Sequence, residues 1–279
     1  MTTMNNQKAS FQDQGFCTFP DVLDHESINK LSNLVNELLA AQSREHFEAQ
    51  KSTGSMLNVL DDERFADLIA NPKALECLSQ LGFDNPKWSS GFIISKPGSS
   101  PALFWHQDWW GWNHASSYEP ACQMAFLMYY LIDTHKENGC LRLIPKSHIK
   151  RHALHDELTA PHAEYRRMQN PDHPAYKHAE GEVDVEVKAG DLIFGDARLL
   201  HAAHTNQTDQ RRTVVTLWFF PDFENLPEQI KASINPTGRH GWPQNWSTNQ
   251  LRKIEKLQPD YQGNVNPIEW NRIPDERLE

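Results

Sequence analysis

Between residues 87 and 220 the chain is cut into short apolar or alternating runs: "KWSSGFIISKPG", "ALFWHQDWW", "CQMAFLMYYLID", "GCLRLIPKSH", "VDVEVKAGDLIFGD" and "RTVVTLWFF". Turn residues separate them, among them Pro97-Gly98, Asn138-Gly139 and Ala189-Gly190-Asp191. Runs of this length, ended by residues that favour reversal, extend as strands and turn back. Many short strands in series must bury their apolar faces against one another, which points to a sandwich or a barrel.

The flanks read differently. "GFCTFP" predicts a short strand ended by Pro20, after a polar start "MTTMNNQKASFQDQ" that shows no periodicity. Ile28, Leu31, Leu34, Val35, Leu38 and Leu39 recur at helical spacing, and Asp24 stands where an N-cap would. Two further helical pieces are expected at about 62–70 and 72–81, the second opened by Pro72 and stopped by Gly82. Residues 149–182 are polar, histidine-rich and poorly periodic, as in a long inserted lid or binding loop. The 279 residues suit one elaborated all-β domain. Its expected parts are a helical segment over 1–85, a barrel core over 86–220 carrying the insertion, and a C-terminal wrap over 221–279.

Charge and cysteine usage narrow the partners. A formal net charge of −10 argues against nonspecific binding to nucleic acid or anionic membranes. The start carries no apolar stretch of the secretory kind, and no apolar run approaches the roughly 18 residues that span a bilayer. Cys17, Cys77, Cys122 and Cys140 lack any close spacing and are expected as reduced, mostly buried thiols, which fits a cytoplasmic location.

The chemistry is carried by "FWHQDWW", residues 104–110. On a strand, positions i and i+2 share a face, so His106 and Asp108 can converge on one metal ion, and Trp110 and Trp112 continue that face if the strand runs on. The best third ligand is His201, between two apolar runs. Two histidines and one carboxylate leave positions open on an octahedral ion, the arrangement of non-haem Fe(II) oxygenases. Arg212, eleven residues beyond His201, could hold a carboxylate bidentately, as a dicarboxylate cosubstrate requires. Two other classes use parts of the same set: a zinc hydrolase with an activated water, which has no particular need of Arg212, and a non-catalytic module on a cupin-like scaffold.

With these residues in order, the chain resembles the phytanoyl-CoA dioxygenase family of Fe(II)/2-oxoglutarate oxygenases. "FQDQGFCTFPDVLDHESINKL" is similar to the family's entry segment, "HQD" to its proximal motif and "KENGCLRLIPKSH" to its Asn-Gly turn and following strand. "AGDLIFGDARLLHAAHTNQTDQRR" is similar to the distal segment, with Asn206 five residues after His201. That register implies His201 rather than His204 as ligand, and Arg212 rather than Arg211 as the 2-oxoglutarate anchor. The resemblance implies a mainly β, double-stranded β-helix (jelly-roll, cupin-like) barrel with flanking N-terminal helices. It further implies His106, Asp108 and His201 as iron ligands, and Fe(II), 2-oxoglutarate and O2 as cofactor and cosubstrates. The activity implied is oxidative decarboxylation of 2-oxoglutarate to succinate and CO2, coupled to hydroxylation. The carboxylate of Asp108 favours hydroxylation, desaturation or ring closure over halogenation. The chain departs from the family at Lys146, where a glycine is usual, and at Ala203, where some relatives have a small polar residue. Met128 stands near a position that carries an aromatic beside the cosubstrate in some relatives.

Substrate contacts are expected from Trp112 first, then Trp110 and Trp109, with Thr216 and Trp218 sharing strand parity with Arg212. Tryptophan faces suit a cation. A small zwitterionic or cationic substrate, such as an aminophosphonate, a betaine, an amino acid or another natural product, is the expectation. Arg166 and Arg167 are further candidates for an anionic substrate group, and the acidic chain offers no basic channel for CoA.

Overall fold

The structure is a computed structural model that describes residues 2–50, 54–158, 162–167, 172–234 and 242–279. Among the described residues ten strands form two antiparallel sheets. The larger is ordered β1 (Phe16–Phe19), β8 (Leu192–Asp196), β5 (Ala125–Tyr130), β10 (Arg212–Phe220), β3 (Lys87–Lys96), β2 (Ser55–Asn58). The smaller is ordered β4 (Leu103–His106), β9 (His201–Ala203), β6 (Leu141–Leu143), β7 (Val183–Val185). The jelly-roll expectation holds, and the runs seen in the sequence supply most of the strands.

The larger sheet is buried on both sides, and its residues sort by parity. On β10, Arg212, Val214, Thr216 and Trp218 line an internal cavity. Val215, Leu217 and Phe219 of the same strand join the outer core, together with Leu127, Tyr129, Ile93 and Phe194. That outer core is closed by helices: α2 (His25–Ala40) through Leu31, Leu34, Val35 and Leu39, α4 (Ala66–Ile69), and α5 (Pro72–Leu81) through Cys77, Leu78 and Leu81. Asp24 caps α2 by accepting from Ser27 N at 2.8 Å. Gly82 ends α5 at φ 100, a left-handed stop open to glycine at low cost. The helix expected at 62–70 is a 3-10 turn, Glu63–Phe65, running into α4.

One expectation is corrected, and three segments hold structure that their sequences did not signal. The polar start is a helix, α1 (Thr2–Gln14), which packs against β1. β4 ends at His106, so Asp108, Trp110 and Trp112 do not continue its face. The cause is distant in sequence: the backbone N–H groups of Asp108 and Trp109 donate to Ala197 O at 2.8 and 2.9 Å and turn the chain away from the strand. The insertion is not featureless, since it holds α6 (Ala153–Glu157), α7 (His162–Arg167) and a 3-10 turn, Pro174–Tyr176. The C-terminal segment forms α8 (Glu228–Ser233) and α9 (Thr248–Ile254), and then returns to pair Asn271 with Gly111. α3 (Arg44–Ala49) completes the described helices. All four cysteines are free and buried, as expected.

The turn at Lys146 keeps the shape that a glycine would favour. Lys146 takes φ +68, a region that costs an L-residue roughly 1–2 kcal/mol. Its ammonium meets Asp13 of α1 at 2.8 Å, which ties the turn to the N-terminal helix.

Candidate functional site

His106 ends β4 and His201 starts β9, and the two residues are paired across the smaller sheet. Their rings lie 4.1 Å apart, centroid to centroid. Asp108, from the loop pinned to Ala197, completes the group: its Oδ1 is 3.7 Å from His106 Nε2 and its Oδ2 3.5 Å from His201 Nε2. One donor atom from each lies within 4.8 Å of the others, close enough to share one ion after small adjustments. The three predicted ligands therefore converge, although the carboxylate arrives from a loop rather than from the strand face.

The imidazoles are set for this use. His106 Nδ1 bonds Phe104 O at 2.9 Å, and His201 Nδ1 bonds Leu199 O at 3.1 Å. A carbonyl can only accept, so each Nδ1 carries the proton and each Nε2 presents a lone pair toward Asp108. Burial, with His201 beside it, depresses His106 to about 3, which keeps the ring neutral. Burial works against the charge on Asp108, yet His201, His106, Arg272 and the indole of Trp218 together hold its carboxyl below the usual range. Trp218 Nε1 donates to Asp108 Oδ2 at 2.9 Å, so this side chain orients the carboxylate as well as lining the cavity.

The cavity encloses about 780 Å³ and is lined by the three ligands together with Arg212, Met128, Thr216, Trp110 and Trp218. Such a volume suits a small-molecule site. Arg212 is 3% exposed, and its Nε has no hydrogen-bond partner. Thr216 Oγ1, also buried on β10, likewise lacks one. Among the described residues no carboxylate pairs with Arg212, and burial pulls its guanidinium below the usual range. A buried cation and hydroxyl left unpaired within a cavity are costly unless a ligand completes them. A carboxylate fits Arg212, and a metal fits the His, Asp, His donors.

Trp109 and Trp112 are corrected as substrate contacts. Both are fully buried outside the cavity lining, in a separate core with Met124, Phe220 and Phe223. Trp109 Nε1 donates to Ser117 Oγ at 2.8 Å, and the Trp112 backbone N–H donates to Asn271 O at 3.2 Å. The broken strand removes the parity that would have turned Trp112 inward. Trp110 does reach the cavity, stacked on Trp270 at 5.0 Å. The side chains of Arg166 and Arg167 lie outside the described residues.

Among the cavity residues that were not foreseen, four bear on the chemistry. Arg272 lies with Nη1 4.0 Å from Asp108 Oδ1 and donates to Gln107 O at 3.2 Å. His162 of α7 packs edge-on to His106 at 5.2 Å, so the insertion touches the candidate metal group directly. His155 of α6 accepts the His152 backbone N–H at Nδ1, which leaves Nε2 protonated, buried and without a partner. Tyr130 follows Met128 on the same face of β5, and its hydroxyl contacts Met128 Sδ at 3.8 Å. Of these only Tyr130 sits in a run of strand character. The others come from stretches without periodicity.

The sequence pattern described as "Phytanoyl-CoA dioxygenase (PhyH)" matches residues 11–214. The ectoine dioxygenase of Halomonas elongata is 26% identical over 222 residues, covering 74% of this chain and 67% of that protein. Among solved structures, the non-heme alpha ketoglutarate dependent epimerase SnoN from nogalamycin biosynthesis superposes with a TM-score of 0.62 at 19% identity, over 98% of both chains. EctD from S. alaskensis, solved with 2-oxoglutarate and 5-hydroxyectoine, gives 0.56 at 21% identity, over 79% of this chain and 76% of that one.

Proposed function

The chain belongs to the phytanoyl-CoA dioxygenase family of Fe(II)/2-oxoglutarate oxygenases, and from that premise we propose that it hydroxylates a small organic molecule with release of succinate and CO2. The observation that carries this reading is the meeting, in one cavity, of a His106, Asp108, His201 donor group with the unpaired buried Arg212. A hydrolytic site would leave Arg212 without use.

In this reading His106, Asp108 and His201 hold Fe(II), while Arg212 holds the distal carboxylate of 2-oxoglutarate. Met128 and Tyr130 shape that end of the cavity. When bound, iron, 2-oxoglutarate and O2 supply the oxidant, and no acid–base group of the protein is needed for that step. The chain's own residues position and enclose. Trp218 fixes the Asp108 carboxylate, the Phe104 and Leu199 carbonyls fix the two imidazoles, and α6 and α7 of the insertion cover the ligands against water. Asp108 fills the carboxylate position, so hydroxylation is favoured over halogenation.

The substrate proposed is zwitterionic. Arg272 brings a positive charge to the cavity beside Asp108, which suits an anionic group and opposes a purely cationic molecule. The stacked Trp110 and Trp270 faces suit the opposite, cationic end. His155 Nε2–H offers a neutral donor to an acceptor on the substrate.

The test is Asp108→Ala assayed for substrate-dependent succinate release against pooled zwitterions, anaerobically loaded with Fe(II) before oxygen is admitted. Release at background, with wild-type circular dichroism, is expected. Wild-type-like release would sink the ligand assignment.

A further inference from the structure

A second group of potential metal donors lies away from the cavity. Cys140 stands just before β6, Asp184 is the middle residue of β7, and His204 follows β9 directly. β6 is hydrogen-bonded to both β9 and β7, so three successive strands of the smaller sheet contribute. The registers Leu141↔Ala203 and Arg142↔Asp184, with His204 N donating to Cys140 O at 3.0 Å, put the three residues side by side at one end of the sheet. Strand parity then separates them from the cavity. Leu141, Ala203 and His201 line it and the three donors do not, although Cys140 is fully buried and within electrostatic reach of Arg212.

One donor atom from each of Cys140, Asp184 and His204 lies within 4.8 Å of the others. We propose that Cys140, Asp184 and His204 form a second metal site, for a zinc-class divalent cation, at one end of the smaller sheet. The donor set is thiolate, imidazole and carboxylate, which suits zinc, with water or the neighbouring Glu186 in the fourth position. Chemically it differs from the oxygen- and nitrogen-only group at His106, Asp108 and His201, so the two sites select differently.

The metal-free arrangement shows what binding must displace. His204 Nε2 lies 2.5 Å from Asp184 Oδ1, and Lys136 Nζ lies 3.3 Å from Asp184 Oδ2. Lys136 is 60% exposed, so its ammonium can swing into solvent and yield its place to a dication. Burial, then Asp184 and Glu186, push the Cys140 thiol up to about 12, so the free protein keeps it protonated. A cation bound there expels that proton and takes the sulfur as thiolate, and the proton that His204 Nε2 donates to Asp184 must leave or move to Nδ1 before Nε2 can bind the ion. The bound ion would clamp β6, β7 and β9 together, and β9 carries His201 three residues before His204.

Cobalt(II) titration of the metal-stripped, reduced full chain tests this directly, because only a sulfur ligand gives a thiolate-to-cobalt charge-transfer band in the near ultraviolet. The wild type is expected to develop the band, and Cys140→Ser to lose it. His204→Ala and Asp184→Asn should each weaken cobalt binding at that site by about tenfold or more, with melting curves confirming that each variant is folded. Absence of the band in the wild type, or its persistence in Cys140→Ser, overturns the proposal. The outcome is independent of the His106, Asp108, His201 reading, since that group contains no sulfur.

Discussion

Replacing Arg212 by methionine should separate cosubstrate binding from stability and move the two in opposite directions. Arg212 is 3% exposed, its Nε is unpaired, and the residue opposite it on β3 is another buried basic side chain, Lys96. Burial and then Arg212 push the Lys96 ammonium well below its usual range, and its Nζ donates to Pro101 O. The protein thus holds an uncompensated guanidinium whose partner must come from outside. Breaking a buried charge pair costs about 3–5 kcal/mol. At about 1.4 kcal/mol per decade, that converts to a roughly 100- to 4,000-fold rise in the 2-oxoglutarate dissociation constant.

The same substitution removes a desolvated charge from the free protein. Exchanging a buried ionic group for an apolar side chain of similar size is often neutral or stabilising by about 1–4 kcal/mol. Arg212→Met should therefore melt at or above the wild-type temperature without 2-oxoglutarate, and lose the rise that 2-oxoglutarate gives the wild type. At 100 times its dissociation constant a ligand stabilises by about 2.7 kcal/mol, which a melting curve resolves easily. Anaerobic calorimetry and thermal denaturation, each with and without 2-oxoglutarate, supply both readings. Binding within threefold of wild type, or an unliganded protein markedly less stable than wild type, would refute the reasoning.

Trp218→Phe removes the 2.9 Å bond to Asp108 and should weaken Fe(II) binding about 10- to 100-fold, as read by anaerobic metal titration; unchanged affinity would deny the indole its orienting role. Lys146→Gly should raise the urea midpoint by the equivalent of about 1 kcal/mol, because it relieves the φ +68 strain and gives up only the exposed ion pair to Asp13, whereas Lys146→Val should lower it. His155 is held to about 4 by burial, against about 6.5 in the unfolded chain, so between those values the unfolded state binds more protons and stability falls as pH falls. Relative to His155→Gln, wild type should lose about 2–3 kcal/mol between pH 7 and 4.5 in urea titrations, and a pH-independent difference would show that the ring is not kept neutral.

The barrel was legible because its strands alternate or end at recognisable turns. The spacing of His201 and Arg212 in the distal segment carried over because β10 runs unbroken from Arg212 through Trp218, so parity correctly turned Thr216 and Trp218 inward. Parity failed where a long-range contact overrode it. Nothing local ends β4 at His106, since "QDWWGW" keeps the apolar texture of a strand, and the break is made by Ala197, about ninety residues away. Trp112 was misplaced for that reason. β5 shows the opposite difficulty: its six residues are all buried, so the run carries no alternation and could not say that Met128 and Tyr130 share the cavity face.

The C-terminal segment was the least legible part, and the reason is physical rather than a matter of weak signals. Residues 258–279 form no helix and no extended strand, and they hold their place by pairing with irregular backbone. Asn271 exchanges hydrogen bonds with Trp110 O and the Trp112 N–H, and Gln107 exchanges bonds with Arg272 at 2.9 and 3.2 Å. A segment ordered by a loop has no periodicity of its own, because its partner has none. The loop it grips is the one that carries Asp108, so the turn that broke the strand also created the docking edge for residues 271 and 272. Trp109 and Trp112 then serve as the floor beneath that edge, which is why the tryptophans next to the HxD pair are mostly core. The charge nearest the candidate iron carboxylate, Arg272, is thus delivered by the part of the chain furthest from it in sequence.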